Sequence, residues 1–232
     1  MRRHFEDQIA ECNSRLLHMG AVAQGMVAKS MQCLLERNAG GHEEVFRQED
    51  KVNHLHIEID ERVISALALQ HPVAADLRLL IMASKIAGEL ERVGDQAVNI
   101  CESATSLLQH PPLKISTNVQ SMADVAREML RESLEAFHRR DAQLAQRVLS
   151  ADDKVDAFKD EISLELGKHM MSDPNAVPSA LPLILISRSL ERIADHATNI
   201  AEEVIYATQG RDVRHHQEEK RREEAGEDES AP

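Results

Sequence analysis

Phe5, Ile9, Cys12, Leu16, Met19, Ala23, Met26, Ser30 and Cys33 recur in alternating steps of four and three. That spacing puts them on one stripe of a 3.6-residue helix, so the opening segment reads as one long amphipathic helix with a seam for a partner. It is expected to end near Asn38, Gly40 and Gly41, because Gly and Asn accept the left-handed turn that follows a helix. A second stripe carries Val45, Val52, Leu55, Ile59, Val63, Ala66 and Leu69 and stops before Pro72. A third carries Leu79, Met82, Ile86, Leu90, Val93, Ala97, Ile100, Ala104 and Leu107. Three helices joined by short turns predict an antiparallel bundle.

Pro111 and Pro112 break the pattern, and the scheme then restarts. A helix runs from Val119 to Phe137, a turn spans His138 to Asp141, and another helix runs from Leu144 to about Met170. Pro174, Pro178 and Pro182 mark a loop before a last helix from about Leu183 to Ala207. Beyond Gly210 the chain turns to Glu, Lys and Arg, the composition of a disordered tail. The halves resemble each other: LERVGDQAVNICE at 90–102 lines up with LERIADHATNIAE at 190–202, and Asp50-Lys51-Val52-Asn53 with Asp153-Lys154-Val155-Asp156. Self-similarity at this scale signals duplication. The fold class predicted is all-α, two tandem three-helix bundles from an internal duplication, divided as 1–110, 111–210 and a charged tail at 211–232.

Composition narrows the chemistry. Only 2% of the 232 residues are aromatic, too few for sandwiches and barrels or for base-stacking platforms. The net charge of −13 has the wrong sign for nucleic acid. Cys12, Cys33 and Cys101 form no C-x-x-C pair and suggest neither a disulfide framework nor a thiolate zinc site, so a reducing, cytoplasmic setting fits. Arg2 and Arg3 run straight into Glu6 and Asp7 without the apolar stretch of a signal peptide. The stretch from Ala180 to Ile186 falls far short of the ~20 residues of a membrane span.

With Leu90, Val93, Ala97 and Ile100 on the seam, Glu91, Asp95, Asn99 and Glu102 fall outside it. Glu91, Asp95 and Asn99, each four apart, form a line of oxygens, repeated as Glu191, Asp195 and Asn199, with Glu202 beyond. The middle helices add Asp50 and Asn53, then Asp152, Asp153 and Asp156. Carboxylates that close repel one another, and a hard cation such as Mg, Mn, Ca or iron relieves the repulsion better than zinc. An acidic outer face is ordinarily only solvated, with Arg92 and Arg192 as counter-ions; recurrence in both halves is what singles these stripes out.

The run QHPVAADLRLLIMASKIAGELERVGDQAVNI at 70–100, with the second ER-x-x-D-x-x-x-NI at 191–200, resembles the PhoU family of accessory and regulatory proteins of phosphate-specific transport. The resemblance covers about residues 1–208. It implies two three-helix bundles and E(D)-x-x-x-D motifs that in some members hold multinuclear iron clusters. The motif positions here are Glu91, Asp95 and Asn99, then Glu191, Asp195 and Asn199, with Glu49, Asp50, Asp152, Asp153 and Asp156 contributed by the middle helices. Asn53 stands where the second copy has Asp156, which makes the first site the less charged by acid count. The resemblance further implies a non-enzymatic, homodimeric negative regulator of the phosphate-starvation response and of phosphate uptake. Its partners would be the ATPase subunit of the phosphate ABC transporter and a membrane sensor histidine kinase, met at the membrane periphery. Iron or another hard divalent cation (Mn or Mg before Zn) would be its metal, with none needed for catalysis.

The alternatives are a ferritin-like di-iron carboxylate protein or a metal-binding helical scaffold. The first needs two inward Glu-x-x-His pairs, and only Glu135 and His138 have the spacing. A phosphotransfer bundle would need one exposed reactive His. His54, His56 and His196 all read as surface residues, and the copy of His196 is Gln96. No G-x-x-x-x-G-K-[ST] loop is present to cradle a nucleotide.

Overall fold

The apolar stripes close two three-helix units onto a shared centre. In the computed structural model, residues 2–70, 72–73, 75–113, 118–210 and 213 are described. They form α1 (Arg2–Glu36), α2 (His42–Gln70), α3 (Ala75–Leu107), α4 (Val119–Arg139), α5 (Ala142–Ser172) and α6 (Val177–Gln209), with no strand among them. Met19, Ile59, Ile86, Leu90 and Ile100 in the first half, and Leu130, Ile162, Ile186, Leu190 and Ile193 in the second, are all at most 2% exposed. Each such side chain adds about 1.5–3 kcal/mol by burial, which is why seam periodicity decides the fold. The expectation for the tail falls outside the described residues, except that Val213 packs against the core.

Within each half the helices alternate in direction, so α1 runs parallel to α3 and α4 parallel to α6. α3 packs along α6, and α1 touches α4, which leaves α2 and α5 as flanks. Lys85 pairs with Glu203 and Glu89 with His196, so α3 and α6 lie antiparallel. The two halves are thereby related by a pseudo-two-fold. Gly20 lets α1 and α4 approach, since a Cβ there would come 2.7 Å from the Leu134 side chain.

Three local expectations are corrected. The left-handed residue ending α1 is Arg37 (φ 47°), neither Asn38 nor the following glycines. Asn38 N–H bonds Cys33 O at 3.1 Å and Arg37 N–H bonds Leu34 O at 3.3 Å. The same closure ends α4, with Arg140 left-handed (φ 54°), Asp141 N–H on Ala136 O and Arg140 N–H on Phe137 O. Second, Pro178 and Pro182 lie inside α6, which starts at Val177. Pro178 takes the second helical position, where its missing N–H has no intrahelical partner. Pro182 costs the helix one bond near its start, and burial of Ser179, Ala180 and Pro182 itself outweighs that loss. Third, Leu69, read as a seam residue, is 69% exposed because it sits at the last turn of α2, beyond the packed stripe.

Candidate functional site

α2 and α3 bring together one set of carboxylates, α5 and α6 another. In the first, Glu49 faces Asp95, Asp50, Glu102 and Glu91, and its carboxyl is held above the usual range. Desolvation is the largest cause, followed by repulsion from those four acids. In the second, Asp195 is pushed up to about 6, again mainly by desolvation, then by Glu191 and Asp152 and less by Asp156, while His196 pulls the other way. Asp195 holds an exposed position, yet its carboxyl shares the groove with these charges. The clustering of Glu91, Asp95, Glu49 and Asp50, and of Glu191, Asp195, Asp152 and Asp156, is therefore physical proximity across helices.

The two clusters differ in what neutralises them. Lys159 of α5 reaches across to α6, its Nζ 3.2 Å from Glu191 Oε1 and 3.4 Å from Asp156 Oδ1. Desolvation opposes its charge, but Glu191 and Asp156 overcome that and raise its pKa. The equivalent residue of the first half is His56, which sits 3.5 Å from Asp60 instead. Counting acids alone made the first site the less charged; with Lys159 in place the second is the better neutralised.

The amides do not complete the clusters. Asn99 donates to Gln96 Oε1 at 3.3 Å, and Asn199 donates across to Glu89 Oε2 at 3.1 Å. Asp153 stands exposed, one residue away from the groove position of Asp152. Among the described residues no three His, Cys, Asp or Glu side chains converge on a point that a metal ion would fill. As chemistry, the all-carboxylate first set suits a hard cation, whereas the second already holds an ammonium.

His196 is not the free surface residue expected. Its Nδ1 lies 2.8 Å from Glu89 Oε2, and both side chains are largely covered where α6 crosses α3. Burial pushes Glu89 up, but the hydrogen bonds from His196 and Asn199 and the nearby Arg92 bring it below the usual carboxylate range. Lys85 and Glu203 (2.8 Å) extend this bridge. Sequence reasoning missed Glu89 because its partner lies 107 residues away. The spacing of Asp156 and Lys159, three apart on one helix, was a signal that could have found Lys159. His54 is exposed, as expected, and His56 half-buried. Glu135 gives its carboxylate to Arg131 and Arg139, and His138 is exposed, so this Glu-x-x-His pair does not point into a bundle.

The family model described as "PhoU domain" matches residues 16–104 and again 119–204. The "Phosphate-specific transport system accessory protein PhoU homolog" of Pseudomonas putida is 37% identical over 214 residues, 92% of this chain and 84% of that protein. The crystal structure of PhoU from Pseudomonas aeruginosa superposes with a TM-score of 0.87 at 36% identity, covering 89% of this chain and all of that one. The phosphate transport system regulatory protein PhoU from Streptococcus pneumoniae gives 0.82 at 25% identity, covering 90% and 99%.

Proposed function

Because the chain belongs to the PhoU family, we propose that it is an accessory protein of a phosphate-specific transport system that restrains the phosphate-starvation response. In this reading it is a cytoplasmic adaptor between the transporter's ATPase subunit and a membrane sensor histidine kinase, acting as a homodimer and doing no chemistry of its own. The single observation that carries the reading is full-length likeness: the relative from Pseudomonas putida, named for that transport system, aligns over 92% of this chain and 84% of its own length. Both halves are covered, so the likeness is not that of one shared module.

The physical character of the molecule supports a docking role. Its centre is aliphatic, and its carboxylates sit in surface grooves rather than in the core that a di-iron site requires. Among the described residues no helix is long and apolar enough to cross a membrane, so contact with membrane partners would be peripheral. The surplus of acid favours basic partner surfaces.

The reading extends to metal. A hard cation, iron or a divalent ion, would be held by Glu49, Asp50, Glu91 and Asp95, whose mutual repulsion it would relieve. At the second cluster Lys159 already supplies part of that relief, so the metal would bind there more weakly. Such an ion would supply charge and cross-linking between helices.

The test is alkaline phosphatase reporter activity in phosphate-replete cells lacking the gene. High activity, silenced by the wild-type chain, is expected; unchanged activity in cells without a second family member would remove the regulatory reading. Complementation with the Asp95→Ala/Asp195→Ala chain then separates the acid clusters from the scaffold.

A further inference from the structure

Cys33 and Cys101 come from different helices and meet inside the first bundle. α1 and α3 run parallel in a fixed register: Gly94 of α3 lies against the Met26 side chain, 68 positions earlier, and a Cβ at Gly94 would be 3.6 Å from its terminal carbon. One heptad further along both helices the same offset places Cys33 opposite Cys101. Both are free thiols, 5% and 0% exposed, and Cys33 is close enough to Cys101 to raise its pKa. A Cβ at Gly41, in the corner between α1 and α2, would stand 2.6 Å from Cys33 Sγ and 2.8 Å from Lys29 Cε. The backbone of Gly41, itself buried, and the Lys29 chain therefore lie next to that thiol, which keeps 5% of its surface exposed.

We propose that Cys33 and Cys101 are an oxidation site, a dithiol that small-molecule disulfides close to an intrachain bond stapling α1 to α3. Cys33 attacks first. Its sulfur displaces one small thiol from the oxidant, which carries off the Cys33 proton and leaves a mixed disulfide. Cys101 then displaces the second small thiol, which takes the Cys101 proton. Two protein thiols and one disulfide thus become one protein disulfide and two small thiols. The order follows from position: Cys33 keeps 5% of its surface exposed beside the α1–α2 corner, whereas Cys101 is fully enclosed. Burial and the neighbouring Cys33 push the Cys101 thiol up to about 12, which keeps it protonated until a disulfide is delivered beside it. Cys12, also buried on α1, is the internal control.

The full-length reduced protein is incubated with glutathione disulfide without denaturant, the disulfide is removed, and the remaining free thiols are then trapped with iodoacetamide in denaturant. The expected product has Cys12 alkylated and a peptide joining Cys33 to Cys101. In Cys101→Ser a glutathione adduct accumulates on Cys33; in Cys33→Ser neither adduct nor bridge forms, while circular dichroism reports an intact helical fold. Three alkylated thiols in the wild-type chain, or a bridge involving Cys12, would overturn the proposal. A wild-type bridge without an adduct in Cys101→Ser would overturn the assignment of Cys33 as the attacking thiol.

Discussion

Asp195 titrates against its neighbours as much as against water. Its folded pKa of about 6 exceeds the ordinary aspartate value of 3.8, so the folded state holds the proton more tightly than the unfolded one. The ionised group therefore lowers stability above about pH 6, and that loss disappears as pH falls towards 3.8. Thermal unfolding in the presence of a chelator should find Asp195→Asn stabilised at pH 8, less so at pH 5, and close to wild type only below about pH 3.8. Lys159→Met should do the reverse. With the ammonium gone, Asp156, Glu191 and Asp195 repel, and a loss of about 1 kcal/mol is expected at low ionic strength. Denaturant titrations with added salt or Mg2+ should recover most of it. The acids of both clusters were legible in the sequence, since spacing along one helix fixes which face they share. Lys159 was not, because its role depends on how α5 lies beside α6. The amides Asn99 and Asn199 fitted the stripe by spacing, but side-chain torsions send them to Gln96 and Glu89.

The helices themselves were read from apolar periodicity; their ends were not. Gly40 and Gly41 looked like the natural place for a left-handed turn, yet Arg37 and Arg140 take it at equivalent places in the two halves. The Arg37 guanidinium donates to Leu107 O at 2.8 Å and His110 O at 2.7 Å, tying the end of α1 to the last residue of α3 and the turn beyond it. Arg37→Ala keeps the strained turn and removes these bonds, so a loss of about 1–2 kcal/mol is expected in urea unfolding. Arg140 is exposed, and Arg140→Gly should stabilise the protein by about 1 kcal/mol by relieving the left-handed backbone. An Arg37→Ala chain as stable as the wild type would show that the guanidinium contacts do not matter. The misread prolines teach the same lesson: Pro182 breaks helices by propensity, but a buried position one turn into α6 overrides it.

At the scale of the molecule, the two halves share their central helices rather than merely touching. α3 lies along α6 and α1 touches α4, so either half alone would uncover those contact faces. Unfolding is accordingly expected as one transition, with calorimetric and van't Hoff enthalpies equal. Two resolved transitions would mean that the halves are thermodynamically separate. The duplication was plain in the sequence, but nothing in either copy announced the antiparallel packing of α3 on α6, since their polar bridges join residues more than a hundred positions apart.

Among the described residues those bridges exist at one end of the crossing only. Rotating Lys85–Glu203 and Glu89–His196 about the pseudo-two-fold gives Leu185–Ser103 and Ser189–Gln96, which carry no charge. A symmetric double bundle would present any partner with two equal landing places. Here the two ends of the crossing differ in chemistry, so the molecule has a polarity that the repeat alone would have left ambiguous.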